Sequence, residues 1–103
     1  MNFTAKSDRV VPYRINRIED AFIIENLVTG DVHELNETAF SVLEFCKEKL
    51  SHNQIVNYDE ILSCIMVQYN VSIDNRELVK ADIERTLCQL KECGLIVNSG
   101  KEI

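Results

Sequence analysis

Tryptophan is absent from these 103 residues, proline occurs once and glycine three times. So little punctuation disfavours a loop-rich scaffold. No stretch approaches the roughly 18 apolar residues of a membrane span. The opening MNFTAKSDRVV has no apolar core of a secretory signal, so a cytoplasmic location is the default expectation. Basic excess is also missing: 11 Lys and Arg face 17 Asp and Glu, a formal charge of -6. A protein that tracks phosphate usually carries a basic surface, so the balance argues against nucleic acid and for a neutral or basic partner. None of Cys46, Cys64, Cys88 and Cys93 forms a CxxC pair. Each falls in or at the end of a helical pattern, where a reduced thiol packs as a small hydrophobe. His33 and His52 are the only histidines. Neither has a metal ligand at suitable spacing, so His33 reads as a strand-surface residue and His52 as a loop residue. A Gly-rich phosphate loop, a nucleophile elbow and an HExxH pair are all lacking. The vicinal Asp59-Glu60 is explained by a helix dipole. The expectation is therefore no enzyme, no metal and no cofactor.

What is present is enough for one core. Hydrophobic residues make up 46% and charged residues 27%, which predicts a single domain over 1–103 with an ordered core at residues 8–97. Residues 1–8 read as a polar lead-in. Val10–Ile15 is β-prone, and Pro12 restricts it to an edge or a strand start. Asn16–Asp20 reads as a turn, Ala21–Leu27 as a strand, Thr29-Gly30-Asp31 as a turn and Val32–Leu35 as the returning strand. The spacing of Ala39, Phe40, Leu43, Cys46 and Leu50 predicts a helix over Glu37–Leu50 capped by Asn36. After a polar connection at Ser51–Val56, Asn57 or Tyr58 opens a second helix. Glu60 is placed there to reach back in a capping box, and Ile61, Leu62, Ile65, Met66 and Tyr69 form the stripe. Asp74 and Glu77 mark the start of a third helix with the line Val79, Ile83, Leu87 and Leu90, stopped by Gly94. Leu95–Val97 is extended and Asn98–Ile103 frays. The fold class is α+β, a three-stranded antiparallel sheet followed by a three-helix unit like a winged helix-turn-helix.

The junction Asp31–Phe45, DVHELNETAFSVLEF, passes from strand to helix with almost no loop. Its strand closes the meander, so one edge is expected to lack a partner. An unpaired edge is where another peptide adds as a strand. Val32 and Glu34 share one face of this strand, His33 and Leu35 the other, and Leu35 is expected in the core.

The run Gly30-Asp31-Val32-His33-Glu34-Leu35-Asn36-Glu37-Thr38-Ala39 resembles the PqqD-like family, the RiPP recognition elements that act as peptide chaperones in peptide natural-product biosynthesis. Tyr69-Asn70-Val71 resembles the family's Y-x-V segment. Ala81-Asp82-Ile83, with Leu87, Leu90, Gly94, Leu95 and Ile96, resembles its closing run. The resemblance implies a module that binds the leader segment of a ribosomally made precursor peptide. The leader would add at the edge of the third meander strand, through Asp31, Val32, His33, Glu34 and Leu35. It would pack on the third helix, where Asp82, Arg85, Thr86 and Gln89 flank the core line and Asp82 matches the family's Asp. The implied partners are that precursor peptide and a modifying enzyme such as a radical-SAM enzyme, a cyclase or a peptidase. A winged-helix DNA-binding regulator is the competing reading, which the acidic balance and the near-neutral third helix disfavour. A structural subunit of an enzyme complex and a cysteine-based metal or redox protein are two further readings.

Overall fold

The computed structural model describes residues 8–52 and 57–98. Within them, strands β1 (Asp8–Val10), β2 (Tyr13–Ile18), β3 (Ala21–Asn26) and β4 (Val32–Leu35) precede helices α1 (Glu37–Ser51), α2 (Tyr58–Gln68) and α3 (Arg76–Glu92), and β5 (Ile96–Asn98) follows. The fold is α+β, a three-stranded antiparallel sheet followed by three helices.

The sheet is ordered β2-β3-β4. β2 pairs with β3 from Tyr13↔Asn26 to Ile18↔Ala21, and β3 pairs with β4 from Phe22↔Leu35 to Glu25↔Val32. β3 is therefore central, and β2 and β4 are both edges. The single strand expected over Val10–Ile15 divides at Val11-Pro12 into β1 and β2. Pro12 has no N–H to give to a ladder. Here the Val11 N–H bonds the Leu95 carbonyl at 2.9 Å, while the Pro12 carbonyl accepts from Leu27 N–H at 3.0 Å. The turn expected over Asn16–Asp20 narrows to Glu19-Asp20, with Glu19 in the left-handed region at φ 54. Asn16 and Arg17 extend β2 because an exposed edge strand tolerates polar residues between Ile15 and Ile18.

The extension expected at Leu95–Val97 is present. β5 pairs with β1, from Asp8↔Asn98 to Val10↔Ile96, in a separate two-stranded sheet. Among the described residues, β5 thus covers β1, and no strand pairs with the outer edge of β4. The lead-in over residues 1–7, the connection at 53–56 and the end at 99–103 lie outside the described residues.

Each helix is bounded by a local device. Asn36 Oδ1 accepts from the Ala39 N–H at 2.8 Å and starts α1. Asn57 Oδ1 accepts from the Asp59 N–H at 2.7 Å, so Asn57 itself caps α2, in place of the capping box expected with Glu60. The start expected at Asp74 is a 3₁₀ turn, Ile73–Asn75, capped by Ser72, and α3 follows from Arg76. Both α2 and α3 end in Schellman motifs. Asn70 (φ 54) and Gly94 (φ 76) take the left-handed position. Val71 N–H returns to Met66 O at 2.9 Å, and Leu95 N–H to Leu90 O at 3.0 Å.

The helices cover one face of the sheet. Ile24, Leu35, Val42, Leu43, Ile61, Leu62, Ile83 and Leu90 are buried together, and the rings of Phe22 and Phe40 stack at 4.3 Å. Tyr69 Oη hydrogen-bonds Ser41 Oγ at 2.9 Å, tying the end of α2 to α1. The Tyr58 hydroxyl donates to the Lys80 carbonyl and ties α2 to α3. None of the four cysteines forms a disulfide. Cys46 is buried as expected and Cys64 and Cys93 are half-buried, but Cys88 is exposed because it lies off the Ile83, Leu87, Leu90 line.

Candidate functional site: a bare strand edge and a free helix flank

The ladder geometry decides which groups of β4 are available. In an antiparallel pair, alternate residues turn both main-chain groups toward the partner, and those between turn them away. The Asn26 N–H bonds the Asp31 carbonyl at 2.8 Å, in register with Ile24↔His33 and Phe22↔Leu35. His33 and Leu35 therefore face β3. Val32 and Glu34 direct their N–H and C=O outward, toward an edge that no other strand among the described residues occupies. Of the five residues read as the peptide edge, these two carry the outward main-chain groups.

The side chains follow the expected alternation. Val32 (62% exposed) and Glu34 point away from the helices, while Leu35 is buried among them. His33 departs from the surface reading: it is half-buried, and its Nε2 is enclosed with no hydrogen-bond partner among the described residues. The cause is its register opposite Ile24, which turns the ring toward the helical layer.

Asn26 holds the turn before β4. This fully buried residue accepts at Oδ1 from the N–H groups of Val28 (2.8 Å) and Thr29 (3.2 Å), and donates through Nδ2 to the Gly94 carbonyl (3.3 Å). One side chain thus links the β3–β4 turn to the C-terminus of α3. Sequence reading missed it, because Asn26 fell inside the segment read as a strand, where pattern alone gives no sign that a polar side chain is buried and bonded.

On α3, Asp82 and Arg85 form an exposed ion pair at 3.0 Å, Thr86 is half-buried and Gln89 is exposed. The contact between Tyr58 and Lys80 puts α2 along the opposite side of α3, so this flank is turned away from α2. Leu78 lies four residues before Asp82 on the same flank and is 67% exposed. It was also missed, though an apolar residue outside the core stripe was the available signal. The two sets of predicted residues remain separate. No Cα of β4 comes within 8 Å of one in α3. They form two surfaces, not one side-chain cluster.

Two tyrosines titrate abnormally. The Tyr13 hydroxyl donates to Glu44, and burial, then that hydrogen bond and the Glu44 charge, raise its pKa. Burial, followed by the charge of Glu84, pushes Tyr58 up to about 12. Both act in packing and lie outside β4. Among the described residues, no three His, Cys, Asp or Glu side chains are placed to hold a metal, and no helix is long and apolar enough to cross a membrane.

Comparison with known proteins bears on this architecture. Residues 22–96 match the family model described as coenzyme PQQ synthesis protein D (PqqD). No curated protein matches the chain. A solved structure described as TbiB1 in complex with the TbiA(beta) leader peptide has a similar fold, with a TM-score of 0.63 and 20% identity over 92% of this chain and 99% of that one.

Proposed function

Because the chain belongs to the PqqD family, we propose that it is a non-catalytic adaptor that binds the leader segment of a ribosomally made precursor peptide. The leader adds as a strand beside β4. The observation that carries this reading is the outward pair of amides and carbonyls at Val32 and Glu34, on an edge that the tail strand leaves bare. Strand addition satisfies these groups with main-chain hydrogen bonds, and alternate side chains supply selectivity. The α3 flank of Asp82, Arg85, Thr86 and Gln89 walls the other side of the bound segment. The similar fold of TbiB1, a structure in complex with a leader peptide, supports the assignment. The adaptor presents the precursor, in the cytoplasm, to a modifying enzyme that performs the chemistry: a radical-SAM enzyme, a cyclase or a peptidase.

The test is titration of candidate leader peptides into the labelled chain, with Val32→Pro as the edge block. Pro at 32 removes an N–H that points away from β3, so the β3–β4 ladder survives while the added strand loses a donor. Saturable binding that Val32→Pro weakens supports the reading. Equal binding to both forms rejects it.

A further inference from the structure

Charge is distributed unevenly along this chain. From Ile18 to Cys46 there are seven acids and no Lys or Arg, while the remainder carries eleven bases and ten acids. That stretch contains all of β3 and β4. Two of its acids are engaged: Glu25 pairs with Arg14 at 3.3 Å, and Glu44 accepts from Tyr13. Glu19, Asp20, Asp31, Glu34 and Glu37 make no ion pair among the described residues. The open edge of β4 therefore lies in an acidic stretch; of the described cations on the sheet, Arg14 is held by Glu25, and Arg17 lies over the Phe22 ring and bonds the Glu19 carbonyl, so neither pairs with Glu34.

The geometry points to a peptide with a basic residue at a defined position, two residues from an apolar one. This inference rests on the strand-addition reading above and specifies the peptide's chemistry. The residues of an added strand that stand opposite Val32 and Glu34 are two apart and share the outer face of the sheet. Val32 is exposed and apolar, and favours an apolar neighbour. Glu34 favours Lys or Arg. A shallow depression of about 400 Å3 adjoins Glu34, lined by Ile18, Glu19, Asp20, Ala21, Leu35 and Asn36. Its apolar wall suits the aliphatic stem of a long basic side chain, and its carboxylates suit the charged head. Electrostatic complementarity of this kind raises the association rate and selects against acidic competitors.

The probe is a displayed library of random linear peptides, selected on the full chain at low and at high salt. Parallel selections use Val32→Pro and Glu34→Lys, the latter leaving the edge backbone intact. The expected pool is enriched in Lys and Arg two positions from an apolar residue, is weakened by salt and is not retained by Val32→Pro. Glu34→Lys should lower the affinity of these binders about fivefold, a reversal of one cross-strand charge pair, and should favour acidic residues at the same position. Binders that need the edge but show no basic preference, or that ignore Glu34→Lys, overturn this inference and leave the adaptor reading standing. An empty selection, or binders indifferent to Val32→Pro, overturn both.

Discussion

Asn26→Ala is expected to loosen the turn that sets β4 in place. The wild-type side chain is fully buried and makes three hydrogen bonds, to the Val28 and Thr29 amides and the Gly94 carbonyl. At a net ~1 kcal/mol each, their loss totals about 3 kcal/mol. Val28 and Thr29 are exposed residues, so water recovers part of the loss and about 2 kcal/mol remains. In a domain of this size that corresponds to a fall in Tm of ~10 °C. Thermal and denaturant unfolding, followed by circular dichroism, measure it, with an unchanged denaturant slope indicating the same folded and unfolded states. Hydrogen exchange at the Val28 and Thr29 amides should quicken in the same variant. Asn26→Asp separates the parts of the effect. Its carboxylate still accepts from the turn amides but sets an anion against the Gly94 carbonyl, so the variant is destabilised at neutral pH. Acid protonates the group, restores a donor and reduces the penalty. A Tm within ~2 °C of wild type for Asn26→Ala, well below the shift estimated above, would refute the idea that this side chain joins the turn to α3.

Three further outcomes follow from single residues. Gly94→Ala should cost ~1 kcal/mol, measured by denaturant unfolding, because Gly94 holds φ 76 while the added Cβ meets Asn26 Nδ2 at an ordinary 3.5 Å. Tyr58→Phe should cost ~1 kcal/mol near neutral pH, from the lost bond to the Lys80 carbonyl. Since folding raises the Tyr58 pKa from 10.0 to about 12, the unfolded chain ionises first, and wild-type stability should fall as pH rises through that window. The Phe variant should show a smaller alkaline loss in a pH series of melts. Val32→Pro should lower leader affinity at least tenfold, read by anisotropy, while changing Tm little, because the N–H it removes faces the open edge.

The strand-to-helix junction was legible because its signals are local. Asn36 lies three residues before Ala39, and alternation in VHEL separates Leu35 from Val32 without reference to the rest of the chain. The division at Pro12 was not legible, since it depends on Leu95 and Leu27 accepting and donating across the fold. The pairing of β1 with β5 joins the two ends of the described chain, and three-residue strands carry too little pattern to announce a partner. The start of α3 was displaced because Asp74, Asn75 and Glu77 all favour a helix beginning, and the Ser72 cap resolved the competition in favour of a 3₁₀ turn. At the candidate site, the open edge of β4 was legible because its strand closes the meander. Which of its residues offer main-chain groups depends on ladder parity, and that required the Asn26–Asp31 bond. His33 was misread because alternation assigns a face but does not say how far the opposing layer extends.

The most direct measurement is residue-resolved amide hydrogen exchange across β4, with and without a leader peptide that binds the chain in titration. In the free protein, His33 and Leu35 should already be protected by β3, and Val32 and Glu34 should exchange fast. Saturation with leader should slow Val32 and Glu34 selectively. If both amides remain fast in a saturated complex, or are already slow in the monomer, the leader does not add to β4 and the adaptor mechanism is contradicted.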